Sequence, residues 1–107
     1  MTLLIMRINA FSEKRMELSQ TIASLSLSSR MEKGCRCSEF CQSIEDENRL
    51  FFLEEWDTHQ NLMTHLKSDN FKVIRGTINL LQESYDETFY TVFHPKSMDE
   101  ILMDGTI

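Results

Sequence analysis

The sequence predicts an α+β fold, with helices on one face of an antiparallel sheet. Three observations point there. Strand-like and helix-like patterns follow one another in the order β-α-β-β-α-β. A short polar link, "EDEN", joins two of the strands and reads as a hairpin. The strands are apolar on both parities, so the sheet expects cover on both faces.

The first strand is "TLLIMRINA", with Leu3, Ile5 and Arg7 on one parity and Leu4, Met6 and Ile8 on the other. Ser12 then offers an N-cap oxygen, and Glu13 sits in the first turn, where the helix dipole favours it. Leu18, Ile22, Leu25 and Ser29 recur at helical spacing, and Met16, Ala23 and Leu27 widen the stripe. The alternating end "SLSLSSR" stays helical because the pattern upstream is longer. Gly34 closes the unit as a turn residue.

"CRCSEFCQSI" reads as the second strand and "RLFFLEEW" as the third. Asp57 or Thr58 caps the next helix, which runs to about Lys67, and Asp57 with Gln60 has capping-box spacing. Ser68 and Asp69 can cap another, striped by Phe71, Ile74, Ile78 and Leu81. "ESYDE" reads as a loop and "TFYTVFH" as the last strand, with Phe89 and Phe93 against Tyr90 and Val92, stopped by Pro95. This order is the split βαβ, or ferredoxin-like, arrangement. Residues 1–95 are expected to form one domain. Residues 96–107 are a tail, either a helical turn or an arm that contacts a partner subunit.

Composition bounds the function. A chain of 107 residues is one domain. The net charge is −6, and the eleven basic residues are scattered, so nucleic acid and anionic membranes are poor partners. The apolar run from Leu3 to Met6 is too short for a signal-peptide core or a membrane span, which places the chain in the cytoplasm. Cys35, Cys37 and Cys41 are odd in number, and residues at i and i+2 of a strand lie about 7 Å apart, too far for an easy disulfide. They are expected to be reduced, small and buried on one face. No CxxC pair exists for zinc, and no metal site is expected.

The two apolar parities carry a further expectation. Two helical layers on one side leave the other sheet face bare, and monomers seldom tolerate so large an apolar patch. Loops and the tail are one cover. A second copy, packed sheet to sheet as a two-fold homodimer, is the preferred one.

"EKGCRCSEF", the strand ending in "EEW", and "THLKSDNFKVI" resemble the antibiotic-biosynthesis monooxygenase family, which includes quinol monooxygenases. Gly34, Trp56, His65, Leu66, Ser68 and Phe71 stand at the family's intervals. The resemblance spans roughly Leu3 to Phe93. It implies a dimeric α+β barrel, with a pocket between sheet and helices. There an electron-rich aromatic such as a hydroquinone would be oxidised by dioxygen without metal, flavin or other cofactor. On that basis His65 would accept the phenolic proton, and Arg75 would hold the developing anion. Trp56 would be the flat wall for the ring, with Phe52 and Phe71 beside it and Asn9 donating to a substrate oxygen. Each has a plainer role available: core filling for Trp56, a helix hydrogen bond for His65, a solvated cation for Arg75 and a strand-end turn for Asn9. His59 and His94 look like solvated surface residues.

Two departures stand out. Phe52 occupies the place where some cofactor-free members carry asparagine, four residues before the tryptophan. Arg75 occupies the place of the haem-degrading branch's iron-ligating histidine, and arginine does not ligate iron. No second acid–base group accompanies His65 in the motif. A non-catalytic dimer that binds a small apolar ligand, or serves stress signalling or assembly, is therefore the competing reading.

Overall fold

The structure is a computed structural model that describes residues 1–92 and 95–104. Phe93 and His94, singled out above, lie outside the described residues. The elements follow the expected order: β1 (Thr2–Ala10), α1 (Arg15–Ser29), β2 (Cys35–Gln42), β3 (Arg49–Trp56), α2 (His59–Leu66), α3 (Asp69–Leu81), β4 (Gln82–Thr91) and α4 (Met98–Asp104). A 3-10 turn, Ser12–Lys14, leads into α1.

The four strands form one antiparallel sheet in the order β2-β3-β1-β4. The sheet is open, with β2 and β4 as its edges. One chain therefore closes no barrel.

Inward parity makes the core. Leu4, Met6 and Ile8 of β1 and Leu50 and Phe52 of β3 pack against Leu18 and Ile22 of α1 and Phe71, Ile74 and Ile78 of α3. The expected α3 stripe is the packed one, with Leu81 half-buried at its end. The α1 stripe is narrower than its letters suggest. Met16 and Leu27 are each 59% exposed, whereas Ser26 is buried.

Local chemistry sets the ends. Thr58 Oγ1 accepts from the Asn61 amide and Ser68 Oγ from the Phe71 amide, so both helices on the second half start at side-chain caps. The Asp57–Gln60 capping box does not form; Asp57 instead accepts from the Asn61 side chain. Ser12 caps nothing, because its hydroxyl accepts from Asn48 across the β2–β3 hairpin. Gly34 turns the chain with a φ of +84°, where a side chain is strained.

Three expectations need correction. "ESYDE" is strand rather than loop, since β4 starts at Gln82 and pairs with β1 through Ser84, Tyr85 and Asp86. Tertiary pairing overrides the weak local preference of an acidic stretch there. The cysteines do not share one face. A bulge between Cys35 and Cys37 leaves Cys35 opposite inward Trp56 and Cys37 opposite outward Glu55. Nor are they buried: Cys35 and Cys37 are half-buried and Cys41 is exposed, all three as free thiols.

The other sheet face carries Leu3, Ile5, Phe51 and Leu53, all half-buried. Every helical residue of the core packs on the inward side instead. α4 buries no residue and exposes Met98, Leu102 and Met103. Among the described residues no helix is long and apolar enough to cross a membrane.

Candidate functional site

The most unusual chemistry in the molecule lies under α2. Strand alternation sends Leu50, Phe52, Glu54 and Trp56 inward from β3, so a carboxylate joins an apolar row. From above, Leu62 and His65 point down at i, i+3 spacing from α2. Glu54, Trp56 and His65 are each 0% exposed. Burying a lone charge is expensive, and each of these groups has partners that offset the cost.

The His65 ring stacks on Trp56, with centroids 4.4 Å apart and planes 27° apart. Phe71 meets the same ring edge-on at 5.0 Å. His65 Nδ1 lies 2.9 Å from Glu32 Oε1, brought in by the turn after α1. His65 Nε2 lies 2.7 Å from Glu54 Oε1. That second approach is off the line of a well-formed hydrogen bond, so it acts as an ion-pair contact.

Ionised carboxylates only accept, so two ring nitrogens that each face one are both best served as N–H donors. The arrangement favours the imidazolium form of His65. Burial alone pushes its pKa down, but the facing Glu54 carboxylate, then Glu32, outweighs this and holds it above the usual histidine value.

The network continues outward. Glu54 Oε2 accepts from Ser38 Oγ at 2.8 Å, because register sets Ser38 directly opposite Glu54. Trp56 Nε1 donates to Glu54 Oε1 at 3.3 Å. Ser38 meets Ser26 of α1 at 2.9 Å, and Asn70 of α3 donates to Ser29 Oγ at 2.9 Å. Cys35 borders this charge. Its thiol is pushed up to about 11, first by burial and then by Glu54.

The expected site residues do not all meet. Trp56, His65 and Phe71 form one cluster, and Phe52 lies one inward position from Glu54 on β3. Arg75 is at the surface, where its Nη2 donates to Glu87 Oε1 at 2.9 Å. Asn9 is exposed on the opposite sheet face and donates to Ser84 Oγ at 3.0 Å.

Sequence reasoning missed Glu54, Glu32 and Ser38, and with them the second acid–base group. The signal was present for Glu54. It sits on the inward parity between Phe52 and Trp56, where a charge needs a buried partner. Glu32 comes from a turn, and no spacing rule brings it to His65.

The three surface depressions described are lined by other residues than Trp56 and His65. An apolar groove of about 240 Å³ runs between α2 and β4, lined by Leu62, Met63, Leu66 and Phe89. Leu62 and Leu66 flank His65 along α2. A depression of about 410 Å³ lies on the helix-free face, lined by Arg7, Asn9, Arg49, Phe51 and Ser84 among others. The third, about 300 Å³, lies over β2 beside Arg30 and Cys37. Among the described residues no group of three or more His, Cys, Asp or Glu is arranged to hold a metal ion.

The sequence pattern of the antibiotic biosynthesis monooxygenase family matches residues 1–76. No curated protein sequence matches the chain. Among solved structures, the chain is similar to a candidate antibiotic biosynthesis monooxygenase of Deinococcus radiodurans, with TM-score 0.84 and 18% identity over 92% of this chain and 98% of that one. A Mycobacterium tuberculosis protein gives TM-score 0.80 and 20% identity over 90% and 98%. A conserved Methanosarcina mazei protein gives TM-score 0.77 and 26% identity over 83% and 89%.

Proposed function

The chain belongs to the antibiotic biosynthesis monooxygenase family, and from that premise we propose that it oxidises a small electron-rich aromatic of quinol or polyphenol type with dioxygen. A quinol supplies every electron this needs. Quinol plus dioxygen gives hydroxyquinone plus water, so the reading requires no metal, flavin or outside reductant. The protein has to bind the ring, take a phenolic proton and exclude water.

The observation that carries this reading is the buried His65 ring held between two carboxylates against an indole face. The ring would enter by the α2–β4 groove and reach the cluster as Leu62 and Leu66 yield. Trp56 and Phe71 would bound it. A phenolic proton would pass to Glu54, and the His65 imidazolium would stabilise the phenolate that results. This reverses the role first expected of His65, because an imidazolium gives rather than takes a proton. Arg75 and Asn9 lie apart from the cluster, Arg75 at the surface beside Glu87 and Asn9 on the far sheet face.

Oxygen uptake over a hydroquinone panel tests the chemistry. Wild type should consume oxygen with at least one member, and folded His65→Gln should lose most of that rate. Equal rates in the two proteins, or none in either, count against it.

Burial of the cluster favours a second reading, in which the protein is a non-catalytic dimer. Trp56 and His65 are wholly covered, and no described cavity reaches them. Trp56 is the only tryptophan, so its fluorescence reports the cluster directly. Saturable quenching by an aromatic ligand supports a binding pocket, and an unchanged signal supports the sealed scaffold.

Both readings include a two-fold homodimer through the helix-free sheet face, in which two open sheets complete a barrel. Sedimentation at micromolar concentration tests this assembly. The free thiols suit a cytoplasmic setting.

A further inference from the structure

Two buried serines stand where apolar residues would pack without needing a hydrogen bond. Ser26 on α1 and Ser38 on β2 are each 1% exposed, and their hydroxyls meet at 2.9 Å. Burying a hydroxyl costs stability unless it is bonded, and this pair is bonded in a fixed order. Ser38 Oγ gives its one proton to Glu54 Oε2 at 2.8 Å, so Ser26 is the donor to Ser38. The Ser38 backbone is held as well. Register sets it opposite Glu54, and its carbonyl accepts from Arg30 Nε at 2.8 Å.

The other end of the carboxylate is crowded. Glu54 Oε1 faces two ring nitrogens at once, His65 Nε2 at 2.7 Å and Trp56 Nε1 at 3.3 Å. The histidine approach is off line and the indole bond is long. One oxygen for each ring would serve both better, yet Oε2 is turned away to Ser38. The last torsion of a glutamate is soft, so a bond has to hold the carboxylate in this orientation. Among the described residues the Ser38 hydroxyl is the one hydrogen bond on Oε2.

We infer that Ser38, backed by Ser26, is a positioning residue that pins the Glu54 carboxylate and keeps it from pairing in line with His65. This rests on the reading above, in which Glu54 takes the phenolic proton. A carboxylate locked in line with an imidazolium is a weaker base, and the pinned one stays free to accept from a phenol. The ring has few charged neighbours. Glu54 faces it from β3 and Glu32 from the turn after α1. The Cys35 thiol of β2 borders both carboxylates. From α3 come Phe71 and Asn70, and from α1 Ser26 and Ser29, none of which titrates.

Trp56 stacks on His65 and is the only tryptophan, so its emission reads the charge on that ring. The test follows this emission in the full chain across neutral and alkaline pH. In Ser38→Ala the freed carboxylate swings in line with His65, and the midpoint should rise by about half a pH unit or more. Ser38→Cys fills the same space with a weak donor and should shift it the same way, which covers an alanine variant that does not fold. Ser38→Thr keeps the hydroxyl and should titrate as wild type does. A packing role alone would lower the denaturation midpoint of S38A and leave the titration in place. With a quinol that wild type oxidises, kcat of S38A should fall about tenfold or more while KM stays within about twofold. An unmoved or lowered titration midpoint, a midpoint that S38T does not restore, or an unchanged kcat overturns the inference. A wild type that oxidises no quinol removes the proposed reaction, and the titration alone then decides whether Ser38 pins Glu54.

Discussion

At His65, burial disfavours the cation while two carboxylates favour it, and the carboxylates prevail. The folded pKa therefore exceeds the unfolded value of 6.5, so the cation is worth more in the folded state. That stabilisation is fully present below pH 6.5 and is lost as pH rises through the higher folded value. Urea midpoints of wild type should fall across that range, and those of His65→Gln should lose most of this dependence. His65→Ala should destabilise the fold by about 3–5 kcal/mol, because Glu54 is left buried without its counter-charge. Cys35 gives a second check. With its thiol pushed from 9.0 to about 11, its thiolate fraction at pH 8 is about 100-fold below that of the unfolded chain. Iodoacetamide at pH 8 should spare Cys35 in native protein and label it after denaturation, as read by peptide mass. The letters named His65 and Trp56, but the carboxylates that decide the ring's charge come from a strand and a turn distant in sequence.

Elements were legible where a local signal was strong. Thr58 and Ser68 cap their helices as hydroxyls at helix starts should, and the α3 stripe is the buried one. Removing the Ser68 hydroxyl in Ser68→Ala should cost about 1 kcal/mol in a denaturant melt. Gly34→Ala should cost more than about 1 kcal/mol by the same measurement. Its φ of +84° strains a side chain, and the new Cβ would stand 2.3 Å from Asp57 Oδ1 and 2.4 Å from Asn61 Nδ2, breaking up the pair they form. The misread elements share one cause. "ESYDE" and the Cys35–Cys37 bulge take their form from the strand beside them, and a window of sequence does not contain that strand.

At the scale of the molecule, one sheet has two unlike faces. Helices cover the inward face, and apolar side chains with charged ends pattern the other. The C-terminal α4 adds nothing to the core, since none of its residues is buried. A chain ending at Pro95 should therefore keep its unfolding free energy within about 0.5 kcal/mol, as surface changes usually do. Should that truncation also weaken self-association in sedimentation, the tail contacts the partner subunit. An unchanged dimer assigns the contact to the sheet face alone.

The order of elements, the hairpin, the Ser68 cap of α3 and the excess of apolar strand positions were determined by the sequence itself, which left the α2 cap between Asp57 and Thr58. Periodicity and capping act within a few residues, so they survive as local patterns in the string. Tertiary structure alone decided that Glu32 and Glu54 close on His65, that Arg75 and Asn9 stand apart from that cluster, and that β4 extends back to Gln82. Those outcomes depend on strand register and on which turn a folded chain carries over which helix. Register is a relation between segments that only folding brings side by side.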